Sequence, residues 1–376
     1  MENSNRTLVV IGAGLIGTSI ALGAKSVGYK VELIDRDGRA ESLANDLISN
    51  QEKISEPDLV VIATPTSSLK SVLENFINIY PKSTFIDIGS TKTKVQVEVT
   101  SFAGLSSRFC PTHPMAGREL DGAEAAQSDL FVGKSWIITP IVSGTDSNNE
   151  STRKSTSEST SESTSEASIA VATDLIEKLG AKVIQMSPGE HDVAVAAVSH
   201  LPQVISSLLA AQMIKLDPAK RGEFLNLAGN GVMDTTRIAG SNPSLWVEIL
   251  ELNKGSLLPL LENFQKDLST LITSYNVEEV LQRGREGRYL LPGKHRSSNR
   301  QYTYLPVVLE DKPNQLAALF NECAKASVNV EDIDIEHSPE QETGLVLLAL
   351  SDTNAKLLEE HLLQNGWRVH PPRSEA

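Results

Sequence analysis

Apolar and polar positions along this chain switch between two periods. Residues Thr7–Ile11 form a short β-branched apolar run, a helix-like stretch follows to about Val27, and Lys30–Ile34 is strand-like again. Residues 58–63 and 83–87 read as further strands, and 67–79 and 92–102 as helices. That alternation predicts a parallel, doubly wound α/β sheet of Rossmann type. A strand at 135–141, a helix at 168–179 and the strand Lys182–Gln185 extend it. The pattern then turns helical to about Arg285, through 193–213, 222–227 and 245–281, with breaks at Asp217-Pro218, Gly229-Asn230-Gly231 and Asn242-Pro243. The final segment reads strand 304–309, helix 314–326, strands 328–336 and 344–350, helix 355–365 and strand 367–370. This βαββαβ order predicts a small ferredoxin-like module.

The expected domains are therefore a dinucleotide-binding domain at 1–187, an all-α domain at 188–285, a linker at 286–300 and a regulatory-type module at 301–376. Within the first, residues 142–167 change abruptly to Ser, Thr and Glu, with Ser-Thr-Ser-Glu repeated from Ser155. So polar a tract cannot bury enough surface to offset its ordering entropy, which predicts a passive, disordered surface loop. The apolar stretch 194–213 would expose too much surface on an isolated outer helix. It predicts a bundle core shared between two subunits, hence a homodimer.

Composition narrows the class. A formal charge of −14 over 376 residues argues against general nucleic-acid affinity. The two cysteines, Cys110 and Cys323, cannot build a disulfide framework or a metal cluster, and read as buried apolar residues of a cytoplasmic protein. No resident metal is expected. No apolar run is read as approaching membrane-spanning length, and no signal-peptide pattern precedes the first strand.

The first candidate chemistry follows the first strand directly. In Gly12-Ala13-Gly14-Leu15-Ile16-Gly17, Gly12 permits the tight turn, Gly14 admits a pyrophosphate to the backbone, and Gly17 lets helix and strand pack closely. The N–H groups around Leu15 and Ile16 open the helix toward phosphate. Asp35 ends the second strand where it can bond ribose hydroxyls, which favours NAD, while Arg36 could instead hold a 2′-phosphate. Three segments should meet at the carboxyl ends of the strands: Thr64-Pro65-Thr66, Gly89 to Lys92, and Thr112-His113-Pro114. His113 thereby becomes an imidazole within reach of a nicotinamide.

Taken together, Ile11 to Gly17, Asp87-Ile88-Gly89-Ser90-Thr91-Lys92, His113-Pro114-Met115-Ala116-Gly117 with Glu119, Ser199-His200-Leu201-Pro202, and Asp234-Thr235-Thr236-Arg237 with Trp246 resemble the prephenate/arogenate dehydrogenases of tyrosine biosynthesis over residues 6–285. The resemblance implies NAD-dependent oxidative decarboxylation of prephenate to 4-hydroxyphenylpyruvate, with arogenate as the alternative substrate. A non-catalytic dinucleotide- and amino-acid-binding sensor is the more distant alternative. His113 would accept the substrate's hydroxyl proton. Ser90 would bridge that oxygen, His113 and the nicotinamide ribose; otherwise it caps a helix. Arg237 would bind a substrate carboxylate through two parallel hydrogen bonds, or else pair with Asp234. Glu119 would order that arginine or gate the pocket. Trp246 and His200 would line the site, each with a packed core role as the alternative. Relatives often carry a second histidine where this chain has Gln203, which leaves the choice between a keto and an ammonium arm open.

The tail, from Leu309 through Asp311, Asn314, Gln315 and Leu316 to Ile333, resembles an ACT domain. That implies feedback by tyrosine or phenylalanine, or a dimerising module without ligand. Asn314 and Ser327 stand where such modules often have glycine; asparagine tolerates a left-handed backbone better than most residues.

Overall fold

The computed structural model describes residues 6–49, 53–117, 122–142, 163–291, 302–310, 312–336 and 343–373, and the chain divides into two units, Met1–Asp267 and Leu268–Ala376. The first is built on seven strands: β1 (Thr7–Ile11), β2 (Lys30–Ile34), β3 (Leu59–Ile62), β4 (Thr84–Asp87), β5 (Phe109–Pro114), β6 (Ser135–Ile138) and β7 (Lys182–Gln185). They lie in the order β2-β1-β3-β4-β5-β6-β7.

The central strands are apolar on both faces because helices cover both. Leu8, Val10, Leu59 and Val61 pack on one side against Ile20 and Ala21 of α1 (Leu15–Ser26), Ala44 of α2 (Gly38–Leu47), and Leu175 and Ile176. Val9, Ile11, Val60 and Ile62 pack on the other against Leu69 and Leu73 of α3 (Leu69–Phe76) and Val95 and Val99 of α4 (Thr93–Thr100). Leu175 and Ile176 belong to α5 (Glu166–Lys178). This is the two-sided burial that makes parallel strands near-continuous apolar runs. The strand order reverses between β1 and β3, which opens a crevice at their carboxyl ends.

One element departs from the parallel expectation: β6 runs antiparallel to β5, with His113 opposite Ile137. Among the described residues, the connection between them holds only a 3₁₀ turn at Ala123–Ala125 and no crossover helix, so the chain returns in the opposite direction. The Ser/Thr/Glu tract falls on residues 143–162, outside the described residues apart from its flanks.

After β7, Ser187 and Glu190 close a reciprocal capping box around Pro188 and start α6 (Pro188–Val195). A π-helical turn, Ala196–His200, joins it to α7 (Leu201–Ile214). Pro202 explains the turn: its ring has no N–H and crowds the carbonyl four residues back, and one wider turn relieves both. The result is a single helix, Pro188–Ile214, which by length and composition could cross a membrane. The expectation that no stretch approaches that length is corrected here: the π turn keeps the chain helical through Pro202, and the capping box at Ser187 starts the helix earlier than the apolar stretch 194–213. Yet His191, Asp192, His200, Gln203 and Ser206 on this helix are buried and hydrogen-bonded within the unit.

Short helices α8 (Arg221–Leu225), α9 (Asn230–Thr236) and α10 (Pro243–Leu252) precede α11 (Lys254–Ser274), through which the division between units passes. Gly229 is the N-cap of α9, so the expected break at 229–231 is also a helix start. The second unit opens with α12 (Val277–Leu290), which occupies the first residues of the expected linker; 292–301 are not described. It continues as β8 (Thr303–Glu310), α13 (Gln315–Lys325), β9 (Asp332–Glu336), β10 (Thr343–Leu350), α14 (Asp352–Gln364) and β11 (Arg368–Val369). Its antiparallel sheet has the order β11-β8-β10-β9, and Leu305, Val307, Leu319, Leu348, Leu358 and Leu362 form its core.

The turn between β1 and α1 has no spare volume. A Cβ on Gly17 would collide with the Gly12 carbonyl oxygen and lie 2.9 Å from Ala63 Cβ. Gly17→Ala is expected to destabilise the protein by about 1–3 kcal/mol and to weaken dinucleotide binding. Thermal melts with and without NAD⁺ measure both, and an unchanged melting temperature would refute the packing argument.

Candidate active site

The glycine turn has the shape a dinucleotide needs. Gly12 sits at φ 118°, where a side chain would lie 2.5 Å from Ala63 O, whereas nothing lies within 4 Å of a Cβ built on Gly14. Gly14 is the exposed N-cap of α1 and has no side-chain cap, so the helix start faces open space with free N–H groups, around Leu15 and Ile16. Asp35, at the end of β2, accepts from Ala13 N at 2.7 Å and from Asp37 N at 2.8 Å. Those two bonds fix the carboxylate beside the glycine turn while leaving it lone pairs for hydroxyl donors. Arg36 is exposed next to it. At the end of β3, Thr64 precedes Pro65, and its buried hydroxyl has no partner. Such an orphan at a crevice is what a bound polar ligand would satisfy. The residues fit a dinucleotide.

His113 lies near the end of β5, and its Nδ1 is 2.9 Å from Nε2 of His191, with the rings edge-on at 70°. His191 is fully buried and its Nδ1 lies 2.8 Å from Asp192 Oδ1. Asp192 in turn accepts from the backbone N–H groups of Lys92 at 2.7 Å and Thr93 at 2.9 Å, and so caps α4 from a different helix. Burial opposes the charge on Asp192, but bonds from His191, Thr93 and Lys92 overcome it and hold the carboxyl at about 2. His113 moves the other way. Burial, then the positive charge of Lys92, push it well below its ordinary 6.5, so it is neutral at physiological pH.

Lys92 is itself completely buried. Its ammonium bonds Asp87 Oδ2 and Thr112 O, both at 2.5 Å, and burial lowers its pKa against the pull of Asp87. Asp87 also accepts from Gly89 N and Thr112 N. This cluster ties the end of β4 to β5 and fixes the loop carrying Ser90. Ser90 is half-buried, and the helix-capping role it might have taken belongs to Asp192. Beside it, Thr91 keeps a second buried hydroxyl without a partner.

His200, delivered by the π turn, has its Nδ1 3.1 Å from Asn253 Nδ2, which also donates to Asp192 O at 2.7 Å. An amide N–H needs an acceptor, so Nδ1 of His200 carries the lone pair. Burial lowers His200 from 6.5 to about 4, with Asp192 opposing. The half-buried Trp246 ring meets it edge-on, centroids 6.1 Å apart. His113, His200 and Trp246 are thus linked through His191, Asp192 and Asn253. Gln203 donates to Ile238 O at 2.9 Å and so holds the 3₁₀ turn Arg237–Gly240, whose exposed first residue is Arg237. Glu119 lies outside the described residues.

Sequence reading missed His191, Asp192, Lys92 and Asn253 as site residues. A usable signal for the first two was present: a His-Asp pair immediately after the Ser187–Glu190 cap, in an otherwise apolar helix. Nothing local marks Asn253, whose importance comes from bonds to residues 61 and 53 positions away.

Comparison with known proteins identifies the family. Residues 20–155 match the family model "Prephenate dehydrogenase, nucleotide-binding domain" and residues 187–283 match "Prephenate dehydrogenase, dimerization domain". The chain is 30% identical over 278 residues to a cyclohexadienyl dehydrogenase from Zymomonas mobilis, covering 71% of this chain and 87% of that one. It is 26% identical to a prephenate dehydrogenase from Bacillus subtilis over 96% of both chains. Among solved structures, a prephenate dehydrogenase from A. aeolicus in complex with hydroxyphenyl propionate and NAD⁺ superposes with a TM-score of 0.63 at 26% identity, covering 77% of this chain and 98% of that one.

The depressed pKa of His200 has a stability consequence. Unfolded, the residue binds a proton near 6.5, and folded only near 4, so its contribution is complete above about 6.5 and is lost as pH falls toward 4. Melting temperature should drop across that window, and His200→Gln, which keeps an acceptor for Asn253, should make the drop shallower. An identical pH slope in wild type and variant would contradict this.

Proposed function

The chain belongs to the prephenate dehydrogenase family and is an NAD-dependent oxidoreductase, and from that premise we propose that it converts prephenate to 4-hydroxyphenylpyruvate with His113 as proton acceptor. The observation that carries the reading is a neutral imidazole at the end of β5, anchored through one ring nitrogen beside the dinucleotide crevice. When bound, NAD⁺ supplies the hydride acceptor, and loss of CO₂ makes the ring aromatic.

His113 takes the proton of the ring hydroxyl as that oxygen becomes a carbonyl, which helps most while C–H cleavage develops. Ser90, released from capping duty, bridges the same oxygen and the nicotinamide ribose. Arg237 engages a substrate carboxylate, on a turn that Gln203 steadies. His200, accepting at Nδ1, presents Nε2–H as a neutral donor, and Trp246 walls the pocket beside it. Leu15 and Ile16 N–H groups with Gly12, Gly14 and Gly17 cradle the pyrophosphate, Thr64 and Pro65 flank the cofactor, and Asp35 takes the adenosine ribose in preference to the 2′-phosphate that Arg36 could hold.

The reading extends to assembly and control. Val193, Val198, Leu208, Leu209 and Ile214 leave a large apolar surface on the long helix, which supports a homodimer rather than a membrane contact. A cytoplasmic setting fits two free, buried cysteines. In the second unit Asn314 and Ser327 adopt φ 72° and 52°, the left-handed backbone that favours the glycine often found at those turns in ACT modules. Asn314 starts α13, followed by half-buried Gln315 and exposed Leu316, and these residues form the proposed effector turn for tyrosine or phenylalanine. Asp311 lies outside the described residues.

Reduced-cofactor absorbance with prephenate or arogenate, and with NAD⁺ or NADP⁺, tests the activity directly. Prephenate with NAD⁺ is expected to turn over fastest. His113→Asn should lower kcat by at least ~100-fold with little change in NAD⁺ affinity; full activity would remove the proposed base. Tyrosine or phenylalanine added to the full-length enzyme should reduce turnover, and Asn314→Val should relieve that inhibition. Equal inhibition in both forms would place the effector elsewhere.

A further inference from the structure

His191 and Asp192 have no assigned part in the chemistry, yet one is fully buried against His113 and the other binds it from behind. We propose that they are positioning residues that fix the tautomer of His113, so that its Nε2 carries the lone pair offered to substrate. The proposal rests on His113 being the proton acceptor.

The argument follows donors and acceptors along the chain of contacts. Asp192 is ionised and already accepts from two backbone N–H groups, so it can only accept from His191, which places a proton on His191 Nδ1. The proposal assigns His191 this one ring proton, which leaves a lone pair on Nε2. That atom lies 2.9 Å from His113 Nδ1, and two lone pairs cannot face each other at that distance, so His113 Nδ1 bears the proton. A neutral imidazole has only one N–H, and Nε2 of His113 is left as the acceptor.

The opposite assignment, with a proton on His191 Nε2, would force His113 to be protonated on Nε2 and unable to act as a base. Asp192, held at the N-terminus of α4 by two backbone bonds, cannot turn into a donor and so keeps a proton on His191 Nδ1; the nitrogen-15 spectrum separates this assignment from one with a second proton on Nε2.

The same arrangement serves the reaction as it proceeds. When His113 Nε2 takes the hydroxyl proton, the ring becomes imidazolium and its Nδ1–H donates more strongly to His191. Asp192 stabilises that charge through the intervening ring. No proton passes to Asp192; the one gained at Nε2 returns to solvent after product leaves. Lys92 lies on the other side of the balance, opposing protonation. The groups facing His113 are thus Lys92 from the loop before α4, His191 and Asp192 from α6, and His200 from the π turn.

Two substitutions and one spectrum test this. His191→Leu removes the acceptor, and should reduce kcat by ~10–100-fold at unchanged NAD⁺ affinity and move the acid limb of the kcat profile to lower pH, because imidazolium loses its partner. His191→Gln can offer its amide oxygen near the same position and should recover most of the turnover and the wild-type limb. Nitrogen-15 spectra of the wild-type protein should show His113 protonated at Nδ1. Wild-type kcat and acid limb in His191→Leu, or a proton on Nε2 of His113, would overturn the proposal. Should His191→Leu fail to fold, the wild-type spectrum alone decides. An inactive His113→Asn beside an unimpaired His191→Leu would sink the positioning role and leave the base intact, whereas an active His113→Asn would sink both.

Discussion

One carboxylate organises the catalytic half of this protein. Asp192 leaves the first turn of α6, caps α4 with both oxygens, and receives the ring N–H of His191, while its own backbone carbonyl accepts from Asn253. A buried charge is costly unless its lone pairs are filled, and here four donors surround the residue, from α4, the loop before it, α6 and the turn between α10 and α11. The cost of burying it is therefore recovered only when the dinucleotide domain and the long helix are correctly docked. The bond that holds the two together is also the bond that orients the imidazoles.

Around that point the site divides its charges by environment. Asp192 is kept ionised by hydrogen bonds, His113 is kept neutral by burial and by the proximity of Lys92, and His200 is kept neutral by burial. Groups of similar intrinsic chemistry end at opposite protonation states, which is the usual means by which one pocket holds both a base and fixed donors at neutral pH. Lys92 would be expensive in isolation. Its pairing with Asp87 and Thr112 turns it into a rivet between β4 and β5 and an electrostatic neighbour that discourages protonation of His113.

Backbone irregularity is concentrated where it is used. The positive φ of Gly12 opens the phosphate turn, the π turn before Pro202 delivers His200 to Asn253, and left-handed Asn314 and Ser327 shape the turns of the second unit. Each departs from regular helix or strand.

Much of this was legible in the chain itself. Alternating periodicity, the glycine fingerprint and the strand-end acid Asp35 specified a dinucleotide-binding α/β domain, and βαββαβ spacing specified the tail, because these patterns depend on local propensity and on which faces must be buried. His113 could be singled out by its motif, His113-Pro114-Met115-Ala116-Gly117, downstream of the glycine fingerprint. The antiparallel turn of β6, the fusion of 188–214 into one helix, and the network joining His113 to His191, Asp192 and Asn253 could not, since they depend on residues dozens of positions apart meeting at bonding distance. Sequence supplied the chemical groups; only packing decided which of them share a proton, because hydrogen-bond direction and burial are properties of neighbours in space.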